Sequence, residues 1–219
     1  MPSIDLGVDD ETAIAILEPL VTDERRARLQ EVIERRLDSV TVVMDAPHDP
    51  HNGAAVIRSC DAFGVQRLHV IERYEPFLVA TSVAKGSEKW VDVHLYETAG
   101  AAADLLASSD HEFIATDPDG ELSPADLRHI ARPALVIGNE RQGIEPALRR
   151  LCKRAVRVPM RGFIDSLNLS VCTAILLACA VEGRQGDLPA DERRRLYARG
   201  LFLTASRAAE VLFERTRTP

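Results

Sequence analysis

Short β-branched runs, each followed by a stretch of helical character, recur through the middle of this sequence and constrain its fold more than any other feature. "VTVVMD" (40–45), "RLHVIE" (67–72), "EFIAT" (112–116), "PALVIGNE" (133–140) and "AVRVPM" (155–160) have the length and composition of strands, and "EKWVDVHLY" (88–96) alternates like one. Between them lie a helix near 53–63 that Gly64 can end, a helix in "ETAGAAADLLASS" (97–109) and a short one in "EPALRRLC" (145–152). The most apolar helix, "LNLSVCTAILLACAVEGR" (167–184), follows the last strand. Such alternation predicts an α/β fold, with a mostly parallel sheet covered by helices on both faces.

The flanks differ from this core. Residues 1–22 carry no strong pattern and read as a loose or short helical lead-in, and an amphipathic helix spans about 23–37, with Leu29, Val32, Ile33 and Leu37 at helical spacing. "GRQGDLPADE" (183–192) punctuates the sequence before one or two terminal helices. The expected organisation is an N-terminal helical arm (1–38), a main domain (39–185) and a C-terminal helical arm (186–219). No apolar run reaches the ~20 residues of a membrane span, and the acidic "MPSIDLGVDDETA" is unlike a signal peptide, so a cytoplasmic protein without a membrane partner is expected. The four cysteines show no ligand spacing and read as buried thiols, and no metal site is expected.

The net charge of −7 argues against a generally basic coat, although arginines gather at "ERRARLQEVIERR" (24–36) and again in "ERRRLYARG" and "ERTRT" near the C-terminus. Taken alone, such runs are equally solvated helix faces. The dinucleotide GxGxxG, the phosphate loop GxxxxGK[ST] and the nucleophile elbow GxSxG are all missing. Three polar clusters remain, each at the end of an expected strand, where open α/β sheets place ligands. In "PHDPHNGAAVIRSCDAFG", Asn52 can cap the helix and Arg58 lies two turns in, either for a ligand or snorkelling past alanines. In "VIGNERQGI", two glycines admit a close backbone approach and Glu140 can hold a guanidinium, or the segment is simply a tight turn. In "VPMRGFIDSLNLSVCTAI", Ser166 and Asn168 stand at a helix start, as caps or as site residues.

Together, in this order and spacing, the clusters resemble the three motifs of the SPOUT superfamily, in particular its TrmH-type RNA 2′-O-ribose methyltransferases. The first motif matches at Asn52, Arg58 and "DAFG", the second at Gly138, Glu140 and Gly143, and the third at "PMRG" and "SLNLS". "GSEKWVDV" is similar to a further family segment, and the resemblance runs over about 40–184. The charged N-terminal helix and the C-terminal arm are similar to the branch that methylates guanosine 18 in the D-loop of tRNA. Other branches methylate ribosomal RNA or other tRNA positions, and a catalytically inactive RNA-binding member is the non-enzyme alternative. Asp49 stands where that branch usually has a lysine, and Cys172 and Thr173 replace common alanines.

The resemblance implies a C-terminal deep trefoil knot, a homodimer, a tRNA substrate and S-adenosylmethionine as methyl donor. It implies cofactor contacts at Thr116, Ile137, Gly138, Val158, Met160 and Leu167, and a catalytic set of Arg58, Asn52, Glu140, Ser166 and Asn168. In that set Asn52 orients Arg58 or the ribose, and Glu140 holds a guanidinium across the site. RNA contacts are expected at Arg25, Arg26, Arg28, Arg35, Arg36, His51 and Lys89. Arg58 is often described as the family's general base, yet a guanidinium with a pKa above ~12 rarely gives up its proton. Binding a phosphate and stabilising the developing alkoxide is the role its chemistry favours.

Overall fold

A computed structural model describes residues 4–73, 76–108 and 110–217, which divide into two compact units, residues 37–184 and residues 4–36 with 185–217. Residues 1–3, 218 and 219, at the tips of the expected arms, lie outside the described residues.

The larger unit is built on six strands: β1 (Leu37–Asp45), β2 (Val65–Ile71), β3 (Asp92–Tyr96), β4 (Glu112–Thr116), β5 (Pro133–Ile137) and β6 (Arg154–Val156). Their order across the sheet is β3-β2-β1-β5-β4-β6, and every pairing is parallel. The helices are α3 (Pro50–Ala62), α4 (Thr81–Ala84), α5 (Ala99–Ala107), α6 (Pro146–Arg149) and α7 (Leu169–Ala180). The two-residue period of the strands divides the core between two faces. Val42, Met44, Leu68 and Val70 pack with Val56, Ile57 and Cys60 of α3 and with Leu176 and Leu177 of α7. Val43, Ile71, Phe113, Ala115 and Val136 pack with Ala102 of α5 and Leu148 of α6. The expected parallel sheet with helices on both faces is therefore the observed one.

Several boundaries differ from the sequence reading for local reasons. The expected strand 88–96 begins only at Asp92, because Lys85 and Gly86 take left-handed conformations (φ 55° and 92°) and lead into a 3-10 turn at Ser87–Lys89. The strand expected over 155–160 stops at Val156, two residues before the segment meets Pro159, which has no N–H to offer a ladder. In 133–140, read as a strand ending in a loop, the strand runs to Ile137, and residues 139–143 close a tight loop in which Asn139 and Gly143 exchange backbone hydrogen bonds at 2.9 and 3.0 Å.

The second unit is helical. It comprises α1 (Asp10–Leu17), α2 (Asp23–Glu34), α8 (Ala190–Thr204) and α9 (Ala208–Arg217), with Leu17, Leu29, Ile33, Leu196, Leu201 and Leu212 buried. The lead-in, read as loose or short helical, contains the short helix α1, capped by Asp9, whose carboxylate accepts the Thr12 N–H at 2.9 Å. The backbone after α2 runs so close to the C-terminal segment that a Cβ on Gly186 would fall 1.8 Å from the Glu34 carbonyl oxygen. Asp187 and Leu188 then donate their N–H groups to the Arg36 carbonyl. Among the described residues no helix is long and apolar enough to cross a membrane.

Candidate active site

Successive strands leave β1 toward β2 and β3 on one side, whereas β5, β4 and β6 lie on the other, so the boundary between β1 and β5 is the sheet's topological switch point. In open α/β sheets the crevice outside the strand ends at such a point holds the ligand. Two loops emerge there, residues 46–49 before α3 and residues 138–145 after β5.

Asp49 caps α3 by accepting the His51 N–H at 2.8 Å, and Pro50 occupies the first helical position, where its missing N–H costs nothing. Asn52 is therefore inside the first turn, and the sequence expectation that it caps the helix is corrected. Its side chain, released from capping, is buried and bonded at both ends. Asn52 Nδ2 donates to Glu140 Oε1 at 2.8 Å, and Asn52 Oδ1 accepts from Asn168 Nδ2 at 2.9 Å. Asn168 in turn caps α7 through Oδ1, which accepts the N–H of Ser170 (2.9 Å) and of Val171 (3.3 Å). One residue from each of the three sequence motifs thus joins a single hydrogen-bonded line.

The second oxygen of Glu140 accepts the His48 N–H at 3.1 Å. Burial acts to raise the Glu140 pKa, but the hydrogen bonds from Asn52 and from nearby backbone N–H groups outweigh it and hold the carboxyl below its ordinary range. Both Glu140 oxygens are engaged, and among the described residues of this chain it pairs with no guanidinium. The loop that carries it is fixed from below. Asp45, at the end of β1, accepts the Glu145 N–H at 2.6 Å and pairs with Arg73 at 2.9 Å, while Arg73 reaches Glu145 at 3.4 Å. At Gly138 a Cβ would lie 2.5 Å from the Gly143 carbonyl carbon and 2.6 Å from the Ile144 nitrogen, so only glycine lets the loop fold back on itself.

Arg58 lies six residues beyond Asn52, about 240° around α3 and about 9 Å along it, and so faces a different side. It is exposed and makes no hydrogen bond or ion pair among the described residues. Ser166 is likewise exposed, and the bonded line of Glu140, Asn52 and Asn168 does not include it. The residues expected to hold the cofactor gather at neighbouring strand ends: Thr116 closes β4, Ile137 and Gly138 close β5, Val158 and Met160 follow β6, and Leu167 precedes α7. Ile137 is buried, the other five are half-buried, and the Thr116 hydroxyl donates to the Val136 carbonyl at 3.0 Å.

The residues expected to touch RNA fare unevenly. Arg36 is buried at 1% exposure and cannot meet a phosphate, since the backbone of 186–188 folds over the end of α2; that expectation is corrected. Arg26 pairs with Asp23, and Arg28 and Arg35 both pair with Glu31, at 2.8 and 2.9 Å. Arg25 and Lys89 are exposed, and His51 leans on Asp49 at 3.1 Å. Missing from the sequence reading were Asp45, Arg73, Glu145 and the His48 N–H. A carboxylate ending the apolar run "VTVVMD" was the one available signal.

A model of the SpoU rRNA Methylase family matches residues 39–178. The tRNA (guanosine(18)-2′-O)-methyltransferase of Escherichia coli K12 is 31% identical over 196 residues, covering 85% of this chain and 86% of the relative. Among solved structures, the TrmH/SpoU tRNA modifying enzyme of A. aeolicus superposes with a TM-score of 0.74 at 26% identity, covering 84% of this chain and 98% of that one. The SpoU methyltransferase AviRb of Streptomyces viridochromogenes, in complex with the cofactor AdoMet, superposes with a TM-score of 0.58 at 28% identity, covering 70% of this chain and 62% of that one.

Proposed function

The chain belongs to the SpoU rRNA methylase family, and from that premise we propose that it transfers a methyl group from S-adenosylmethionine to a ribose 2′-hydroxyl of tRNA, at guanosine 18 of the D-loop. The observation that carries this reading is the bonded line Glu140, Asn52, Asn168, which ties all three motifs together at the switch point. The choice of tRNA rests on the long reach of the similarity to the guanosine-18 enzyme, which covers 85% of this chain, more than the family match alone spans. The domain roles go with it, with residues 39–185 as the methyltransferase domain and the two terminal segments as arms.

The residues at the ends of β4, β5 and β6 suit the cofactor. Ile137, Val158, Met160 and Leu167 offer apolar walls beside the narrow turn at Gly138. When bound there, S-adenosylmethionine supplies an electrophilic methyl group. What the protein must add is order and charge. Glu140, held ionised by its hydrogen bonds, fixes Asn52 and the loop before α3, and Asn168 fixes the start of α7, so the walls of the crevice are set before RNA arrives. Arg58 keeps a permanent positive charge with no internal partner among the described residues, which fits it to hold a phosphate and to stabilise the developing alkoxide. A phosphate oxygen or water then takes the proton, because a guanidinium is a poor base.

Arg58 faces away from the line in its own chain, so we place it in the site of a second protomer. That reading calls for the homodimer, and with it goes the trefoil knot through which the segment after β6 would pass. The exposed apolar residues Phe163, Ile164 and Val171, beside and on α7, are suited to such an interface. The family's own description favours a second reading, a ribose of ribosomal RNA. Incubating the protein and labelled S-adenosylmethionine with unmodified tRNA and with ribosomal RNA, then mapping the methylated ribose, separates the two. Label at the D-loop guanosine is expected; label confined to ribosomal RNA selects the second reading, and no label in either refutes both.

A further inference from the structure

Between residues 141 and 161 the sequence carries seven basic residues and one acidic, in a chain whose net charge is −7. Two of the seven are spent internally. Arg149 pairs with Asp117 at 3.4 Å and Arg154 with Glu112 at 2.7 Å, while Glu121 accepts the Ala155 N–H at 3.2 Å. Arg141, Arg150, Lys153, Arg157 and Arg161 are all exposed, and their side chains make no hydrogen bond or ion pair among the described residues. They follow the outermost strand: Arg150 and Lys153 precede β6, Arg157 and Arg161 follow it, and Arg141 stands in the loop after β5.

We propose that this stripe, rather than helix α2, is the main phosphate-contacting surface for the RNA substrate; the inference rests on the RNA reading given above. Exposed cations without partners repel one another and stabilise nothing in the free protein, so a polyanion is the partner their chemistry fits. From Lys153 to Arg157 extended chain rises about 13 Å, room for several phosphates of one strand. A single small anion such as the carboxylate of the cofactor cannot account for both ends, since Arg150 and Lys153 lie at the end of β6 opposite the loops read as cofactor-binding. In and just after α2, by contrast, Arg26 is already paired with Asp23, and Arg28 and Arg35 with Glu31, which leaves Arg25 as the exposed arginine there without an ion pair among the described residues.

The test compares wild type, the double variants Arg150→Ala/Lys153→Ala and Arg157→Ala/Arg161→Ala, and the control Arg28→Ala/Arg35→Ala. Affinity for an unmodified tRNA transcript is measured over a range of KCl concentrations. Each stripe variant should bind several-fold more weakly, with the slope of log affinity against log salt shallower by about 0.7 to 0.9 per lost contact. The control should match wild type, and Arg150→Ala/Lys153→Ala should bind S-adenosylmethionine normally by calorimetry. Stripe variants with wild-type affinity and slope overturn the proposal, as does a loss confined to the α2 variant. Parallel methylation assays keep the two readings apart: stripe-dependent tRNA binding without methyl transfer refutes the proposed function and leaves the stripe standing. Methyl transfer with stripe-independent binding does the reverse, and a wild type that binds no RNA refutes both.

Discussion

The two motif residues of α3 stand in opposite situations. Asn52, in its first turn, is buried and bonded to residues 88 and 116 positions away; Arg58, two turns on, is exposed and bonded to nothing among the described residues. A polar side chain that closes long-range bonds inside one chain belongs to the framework of a site. A charge that the chain leaves open beside the small and apolar run Gly53–Ile57 is directed at something outside it. The difference teaches that one short helix both builds a crevice and presents a group for use elsewhere.

The sharpest way to break this comparison is to remove the open charge. Arg58→Ala should lower methyl transfer by about 10² to 10³-fold, the range for losing one preorganised stabiliser of developing negative charge, with cofactor affinity by calorimetry unchanged. Arg58→Lys should not restore the rate, since an ammonium lacks the planar fork. Lost cofactor binding in a folded Arg58→Ala protein would show that the residue belongs to the framework after all.

Asn52→Ala should act the other way round. It strips a buried donor from Glu140 and an acceptor from Asn168, so the folded state should lose about 1 to 3 kcal/mol in denaturant titration, and the rate should fall through disorder of the crevice. Unchanged stability would mean that the line is not part of the framework. A smaller effect distinguishes Glu140. Its folded pKa lies below the ordinary value of 4.5, so its contribution is present above that value and is lost as pH falls through the folded pKa. The thermal midpoint of wild type should therefore drop on acidification below about 4.5, and Glu140→Gln should flatten part of that acid limb. Identical acid limbs would remove the carboxylate from the account. The least effect is expected on α2, where Arg28→Ala and Arg35→Ala should leave transfer and tRNA affinity within about two-fold, because both side chains are paired with Glu31 and their charge is locally balanced.

The same contrast explains what was legible in the sequence. The strands were, because burial of both sheet faces calls for near-continuous β-branched and apolar runs, as Val42, Val43, Leu68 and Val70 illustrate. Motif residues were legible as a set through their spacing, but their partners were not. That Asn52 bonds to Glu140 and Asn168 depends on strand order, and that Asp49 takes over capping depends on Pro50 starting the helix three residues earlier than the sequence pattern suggests. Arg36 was misread because a charge run at the end of a helix gives no sign that the segment around Gly186, far along the sequence, will cover it. The basic stretch 141–161 was in plain view; its importance emerges only once Asp117 and Glu112 are seen to satisfy two of its members and leave the others open.

The most direct test of a framework and a donated charge meeting in one site is complementation. Arg58→Ala and Glu140→Ala proteins, each expected to lose most of its methyl transfer alone, are mixed, dissociated and reassociated, and transfer to unmodified tRNA is measured. If Arg58 serves the crevice of a second protomer, random pairing restores one intact site in half of the dimers, about a quarter of wild-type activity. Mixed dimers that form, bind the cofactor and remain inactive would contradict the account.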